Sequence, residues 1–259
     1  IPALGKVRKC RNRQQVQCDL EKAQPRRNHQ VGEGSGGGDP QAADRLIAAH
    51  APPLPVPADL GAAGAALVVA SEVMTRTLNW SDRSTCILWG DGAGAAILTL
   101  GTDGHELLSS HIHTDGANGQ DLLLPGGGSK TTPICHESVA DGRHNLKLIE
   151  ASLSFRVAVR HFIEAINEAV EFNDLNVADI NWFIPHQANI RMFQNIARAL
   201  KIPFERFYLT LQKYGNISSA SCAISLDEAV RDGSIKAEDL ICLPVFGGGL
   251  TWGSALIRW

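Results

Sequence analysis

Apolar residues recur along the chain in two rhythms. Short continuous runs, AALVVAS (Ala65 to Ser71), TCILW (Thr85 to Trp89) and AAILTL (Ala95 to Leu100), predict strands buried on both faces, with a glycine turn between the last two. Between residues 145 and 172 the positions Leu146, Ile149, Leu153, Val157, Phe162, Ile166 and Val170 return at helical spacing, which predicts one long amphipathic helix. WFIP (Trp182 to Pro185) reads as a strand running into His186, followed by a helix through Ile190, Phe193, Ile196 and Leu200. A further helix is expected from about Ser218 to Arg231. LICLPVF (Leu240 to Phe246) and TWGSALIRW (Thr251 to Trp259) read as paired strands around a triple glycine, and LPGGGSKTTP (Leu124 to Pro133) as a loop. Buried strands alternating with helices make this an α/β protein.

This texture begins only near residue 64. Residues 1 to 60 hold 7 of the 12 prolines, the glycine-rich run GEGSGGGDP and none of the 15 aromatic residues. So few large apolar groups do little to offset the entropy of ordering, and much of the segment is expected to pack poorly. It carries 9 basic and 6 acidic residues, leaving 15 and 21 for the remainder, so the two parts have opposite net charge.

Charge and composition exclude several classes. A net charge of -3 and a pI near 6.3 give no basic footprint for nucleic acid. No apolar stretch approaches the roughly 20 residues of a membrane helix, and no export signal opens the chain, so a cytoplasmic protein is expected. The six cysteines (Cys10, Cys18, Cys86, Cys135, Cys222 and Cys242) form no CxxC pair and suggest neither a zinc site nor a disulfide framework. Cys86, Cys222 and Cys242 lie in apolar segments and read as core residues.

Three chemical patterns weaken on inspection. Gly90, Gly92 and Ala95 satisfy a loose dinucleotide-binding pattern, but a strand follows where that motif needs a helix, so a dehydrogenase is a distant reading. Ser129 stands before Lys130 where a phosphate loop needs glycine. His111, His113 and Asp115 form HxHxD, which no second cluster completes into a metal site, and no metal is expected. His186, in IPHQANIR (Ile184 to Arg191), and Asn216, in KYGNISSAS (Lys213 to Ser221), are sharper signals. A helix following His186 would disfavour added positive charge and keep its imidazole neutral. Taken alone, His186 reads as a structural histidine and Asn216 as a helix cap.

Four motifs together change that reading. DRSTCILWGDGAGAAIL (Asp82 to Leu98), IPHQANIR, YGNISSAS and VFGGGLTWGSALIRW (Val245 to Trp259) closely resemble β-ketoacyl-acyl carrier protein synthase III of the thiolase-like superfamily, over residues 64 to 259. The resemblance implies a layered α-β-α-β-α fold. Its C-terminal half would be complete (145–259), the end of its N-terminal half would fill 64–144, and residues 1–63 would be a divergent remnant. It implies an acyltransferase that condenses an acyl-CoA such as acetyl-CoA with malonyl-acyl carrier protein, with loss of carbon dioxide, to start fatty acid synthesis. CoA and phosphopantetheine thioesters would be substrates, acyl carrier protein the partner, and a homodimer the expected assembly, formed through the strand near Ala65 to Ser71.

By the same resemblance His186 and Asn216 are two of a Cys, His, Asn catalytic set, donating hydrogen bonds to the enolate oxygen. Gly248 would offer an oxyanion N–H. Gln187, Ala188, Asn189, Ile190 and Arg191 would face the carrier protein and its pantetheine arm, and Arg83 the CoA nucleotide. The nucleophile motif starts at Asp39, Gln41, Ala42 and Ala43, but Asp44 stands where the family has its cysteine. An aspartate cannot form the thioester from which acyl transfer to an enolate is easy. The alternative is therefore a homologue that binds CoA or carrier protein, or only decarboxylates malonyl thioester. Likeness fades across Leu46 to Leu60 and resumes in register at LVVASEV (Leu67 to Val73), as expected of an out-of-frame or chimeric reading. Resequencing the coding DNA tests this, and a single clean frame giving Asp44 refutes it.

Overall fold

A computed structural model describes residues 2–5, 65–100, 104–128, 134–148 and 151–259. The strands are β1 (Pro2–Gly5), β2 (Ala65–Val73), β3 (Asp91–Leu100), β4 (His105–Thr114), β5 (Leu122–Leu123), β6 (Lys147–Leu148), β7 (Trp182–Phe183), β8 (Leu240–Gly247) and β9 (Thr251–Arg258). The helices are α1 (Arg83–Cys86), α2 (His136–Ala140), α3 (Ala151–Phe172), α4 (Ile190–Leu200), α5 (Leu211–Tyr214) and α6 (Ala220–Arg231). Seven strands form one sheet in the order β2-β3-β1-β4-β9-β8-β7, antiparallel except for β7 on β8, and β5 and β6 make a separate ribbon. Asp44, Cys10 and Cys18 lie outside the described residues, as does Ser129 to Pro133 of the expected loop.

Alternation along β8 and β9 divides the core. Cys242 and Leu256 face a cluster with Phe162, Phe183, Phe193, Ile196 and Phe207 under α3 and α4. Their neighbours Ile241 and Ile257 face the other side, with Leu107, Ile184, Leu226 and Ala229 under α6. The sheet is thus covered by helices on both faces, and the α/β reading holds.

Several expected elements differ. Thr85 to Trp89 is not a strand: Asp82 accepts from Ser84 N at 3.0 Å and from the Ser84 and Thr85 hydroxyls, and this capping winds Arg83–Cys86 into a helical turn. Ile87 and Leu88 consequently lie exposed. The long helix begins at Ala151 rather than near 145, because Lys147–Leu148 pairs with Leu122–Leu123. Among the described residues β2 is a sheet edge that pairs with β3 alone, and Leu67, Val68 and Val69 are more than half exposed instead of buried. Pro2–Gly5, expected to pack poorly, pairs with both β3 and β4. The two terminal strands and the helices near Ile190 and Ala220 agree with expectation.

The glycines of the dinucleotide-like pattern serve packing. A Cβ on Gly92 would sit 2.9 Å from Ile224 Cδ1, and one on Gly94 would sit 2.6 Å from Ala223 Cβ, so their hydrogen atoms let α6 lie against β3. This strand does continue where a nucleotide site would need a helix.

Candidate active site

His186 is fixed by strand pairing that outlasts β7. Asn181 N donates to Leu240 O, Ile184 N to Cys242 O and His186 N to Pro244 O at 2.9, 2.8 and 3.0 Å. Pro185 and Pro244 have no N–H, so the ladder is one-sided here and the regular strand stops at Phe183. His186 is therefore aligned with β8, and Asn189 then caps α4 by accepting from Arg191 N at 2.9 Å.

Asn216 is held by a different route. Gly90 N donates to Asn216 O at 2.9 Å and Asn216 N donates to Leu88 O at 2.8 Å, an isolated bridge that joins the turn after α1 to the one after α5. Two glycines make that approach possible: a Cβ on Gly90 would fall 2.1 Å from Tyr214 O, and Gly215 has φ +68. Lys213 and Tyr214, just before, both donate to Glu228 of α6.

These routes converge on Ser218. Its N–H donates to Asn216 Oδ1 at 3.0 Å, and its carbonyl lies 3.0 Å from His186 Nδ1. Ser218 holds this position with φ +48, a left-handed backbone uncommon outside glycine. Because Asn216 Oδ1 is occupied, its Nδ2 is the group left to donate toward a bound molecule. Ser221 supports the same turn: its Oγ donates to Ser218 O at 2.6 Å, accepts from Gln187 N at 3.2 Å and lies 2.9 Å from His186 Nδ1. Glu72 of β2 reaches across to accept from Ser219 Oγ at 2.6 Å.

His186 and Asn216, far apart in sequence, are thus brought together. Asn216 is not the cap of α6, whose N-cap position is Ser219. The imidazole pKa is pushed down to about 4, chiefly by burial, although His186 as a residue is partly exposed. The expected neutrality follows, but from desolvation rather than from a helix terminus, since α4 begins only at Ile190. Ser218, Ser221 and Glu72 had no motif value of their own; only the left-handed turn that joins the two motif residues reveals them.

The other expected site residues divide. Gln187 is fully buried and does not offer a docking contact: Oε1 accepts from Thr210 N and Leu211 N, and Nε2 donates to Pro185 O and Tyr208 O. It braces the turn before α5 instead. Ile190 and Arg191 are exposed on the first turn of α4, beside the partly exposed Ala188 and Asn189, and Arg83 is exposed on α1. Gly248 sits in the turn between β8 and β9, where a Cβ would meet Leu122 O at an ordinary 3.4 Å. The demand for glycine falls on its neighbour Gly249, with φ +145 and a would-be Cβ 2.5 Å from Thr251 Oγ1.

Cys86 and Cys242 are buried and Cys222 is partly buried, and desolvation pushes Cys222 and Cys242 up to about 12, which disfavours both as nucleophiles. His111 and His113 share one face of β4 and both meet Glu168 of α3, His113 Nε2 at 2.6 Å and His111 Nδ1 at 3.4 Å. Asp115 turns away to cap the next turn. Among the described residues, no group of three or more His, Cys, Asp or Glu is placed to hold a metal ion. A cleft of about 400 Å³ between Asn79–Thr85 and Asp141–Leu148 shares no residue with the His186 site. Its charged lining residues are Asp82, Asp141 and Lys147.

Known proteins resemble this chain in sequence and in fold. Residues 170–259 match the family described as 3-oxoacyl-[acyl-carrier-protein] synthase III C terminal, and residues 58–116 match 3-oxoacyl-[acyl-carrier-protein] synthase III. The chain belongs to this family. Family likeness begins at residue 58, a few residues earlier than the motifs alone place it. The β-ketoacyl-[acyl-carrier-protein] synthase III of Thioalkalivibrio sulfidiphilus is 43% identical over 198 residues, covering 76% of this chain and 60% of the relative. That of Alkalilimnicola ehrlichii is 46% identical over 200 residues, covering 77% and 60%. The crystal structure of the synthase III from Aquifex aeolicus matches with a TM-score of 0.67 at 35% identity, covering 76% of this chain and 58% of that one. The fold is therefore the thiolase-like α/β fold of the synthase III family, and the chain spans about 60% of the length of the relatives it matches.

Proposed function

We propose that this chain descends from an acyltransferase that starts fatty acid synthesis and retains the part that stabilises an enolate. One observation carries the reading: the backbone of a single residue, Ser218, contacts both His186 and Asn216. Loss of carbon dioxide from a malonyl thioester puts negative charge on the thioester oxygen, and polar groups already aimed at that oxygen need no reorganisation as charge develops. In the full reaction an acyl-CoA, acetyl-CoA first, acylates a cysteine; the enolate of malonyl-acyl carrier protein then attacks it to give a 3-oxoacyl-acyl carrier protein.

Carrier protein would meet the exposed start of α4, with Arg191 facing its acidic surface, and Arg83 would lie along the CoA nucleotide. Gly248 N–H would face the oxyanion of the acylation step. No metal or permanently bound cofactor is needed for this chemistry. No helix among the described residues is long and apolar enough to cross a membrane, and we place the protein in the cytoplasm with its substrates.

Asp44 in the cysteine position favours one alternative, a chain that decarboxylates malonyl thioester without condensing it. Incubation with labelled acetyl-CoA and malonyl-CoA separates the two. Label on a cysteine supports condensation; carbon dioxide release without acyl-enzyme supports the alternative. Neither product, with no binding of CoA or carrier protein, sinks both.

The exposed edge of β2 supports the homodimer. Leu67, Val68, Val69 and Val73 are exposed on a strand whose outer edge pairs with no other described residue, an apolar edge of the kind proteins normally cover. Sedimentation equilibrium is expected to show a dimer that Val68→Lys dissociates, and a monomeric parent chain would refute it.

A further inference from the structure

Helix α6 carries a polar stripe. Ser221, Ser225 and Glu228, with Asp232 at the C-cap, follow one another at the spacing that puts side chains on one face of a helix. Ala223 lies on the opposite side, where a Cβ on Gly94 of β3 would meet its Cβ at 2.6 Å. Every member of the stripe bonds to the stretch between Tyr208 and Ser218. Ser221 Oγ donates to Ser218 O at 2.6 Å, and Ser225 Oγ meets Thr210 Oγ1 at 2.7 Å with both residues buried. Glu228 accepts from Lys213 and Tyr214, and Asp232 accepts from Tyr208 Oη at 2.5 Å.

Glu228 binds closest to Asn216 in the chain, apart from the Ser221 contact to Ser218. Lys213 Nζ, at 2.5 Å, and Tyr214 Oη donate to its two oxygens. Successive side chains of a helical turn point about 100° apart, so one carboxylate receives both only when the end of α5 stands in one orientation against α6. These bonds hold the Glu228 carboxyl below the usual carboxylate range, and it is ionised at neutral pH. Gly215, which separates Tyr214 from Asn216, has no side chain with which to anchor the turn. Tyr214 O packs against Gly90, where a Cβ would fall 2.1 Å away, and Gly90 N in turn donates to Asn216 O.

We propose that Glu228 is a positioning residue for Asn216: by holding Lys213 and Tyr214 against α6 it fixes where the Asn216 amide stands, without itself touching substrate. This role rests on the enolate reading above and adds to it a residue from outside the site. Tyr214 and the bridge of Gly90 with Asn216 transmit it.

Kinetics and hydrogen exchange test this separately. Glu228→Ala is expected to lower kcat for malonyl-CoA decarboxylation about tenfold, less than the roughly 10²-fold that an ångström of misplacement can cost. KM should not change, because the amide acts on charge that develops only in the transition state. Glu228→Gln, which keeps an acceptor for Tyr214 but drops the charge that Lys213 meets, is expected to fall between. In an Asn216→Ala background Glu228→Ala should slow the reaction no further, since no amide is left to place. Asp227→Ala removes a carboxylate of the same helix that pairs with Arg231 instead, and should keep the parent rate. A parent rate in Glu228→Ala, equal slowing in both backgrounds, or an equal loss in Asp227→Ala overturns the proposal.

In Glu228→Ala the amides of Gly90 and Asn216 are expected to exchange with solvent about tenfold faster, while that of Ile184, bonded to Cys242 O at 2.8 Å, keeps its rate. Unchanged exchange at Gly90 and Asn216, or equal acceleration at all three, overturns the positioning role. If the parent chain does not decarboxylate malonyl-CoA, the enolate reading fails, and exchange still decides whether Glu228 holds Asn216.

Discussion

Asn216→Ala is expected to slow malonyl-CoA decarboxylation by about 10²–10³-fold, the usual cost of removing one preorganised donor from a developing oxyanion. Release of labelled carbon dioxide measures it. The expectation rests on how Asn216 is bound: Oδ1 accepts from Ser218 N and the backbone is bonded on both sides to Leu88 and Gly90, which leaves Nδ2 facing the site. Alanine also strips Ser218 of its partner, so Asn216→Asp is the sharper comparison. Aspartate keeps an acceptor for Ser218 N but offers no donor and adds a negative charge beside the enolate. It should be at least as slow as alanine, and an aspartate variant at the parent rate would show that the amide has no part in the step.

Gly90→Ala should destabilise the protein by about 3 kcal/mol, the upper end for overpacking. The added carbon would lie 2.1 Å from Tyr214 O and 3.2 Å from Ile217 Cγ2. The first neighbour is backbone, so the strands of the bridge must separate, breaking the bonds from Gly90 N to Asn216 O and from Asn216 N to Leu88 O. Activity should fall together with the denaturant midpoint, because the same bridge positions Asn216. Gly128→Ala is the control: a Cβ there meets nothing within 4 Å, and its change should stay within about 0.5 kcal/mol. Equal stability of the two variants would refute the account.

Legibility in the sequence followed the range of the forces involved. Helices α4 and α6 and the hairpin of β8 and β9 were readable because their own side chains show the period that packing requires. TCILW forms a helical turn and not a strand because the bonds from the Ser84 and Thr85 hydroxyls to Asp82 outweigh an apolar run that the fold leaves partly exposed. The exposure of β2 was invisible for a related reason: a local run of Ala, Leu and Val cannot report whether a second strand lies beyond it. His186 and Asn216 were found through motifs, whereas the serine joining them needed the left-handed turn to be seen. Gln187 shows the reverse failure. Its motif suggested a surface contact, and its four hydrogen bonds place it in the scaffold.

The alternation of Ile241 and Cys242, and of Leu256 and Ile257, between two cores has a genetic consequence. Inserting or deleting one codon within Leu240–Gly247 or Thr251–Arg258 would turn every later side chain of that strand to the opposite face, exchanging an aromatic core for an aliphatic one. Length could change only at the intervening turn, where Gly249 already holds φ +145. Point substitutions can accumulate across this hairpin, but its length is expected to stay constant among chains that still fold.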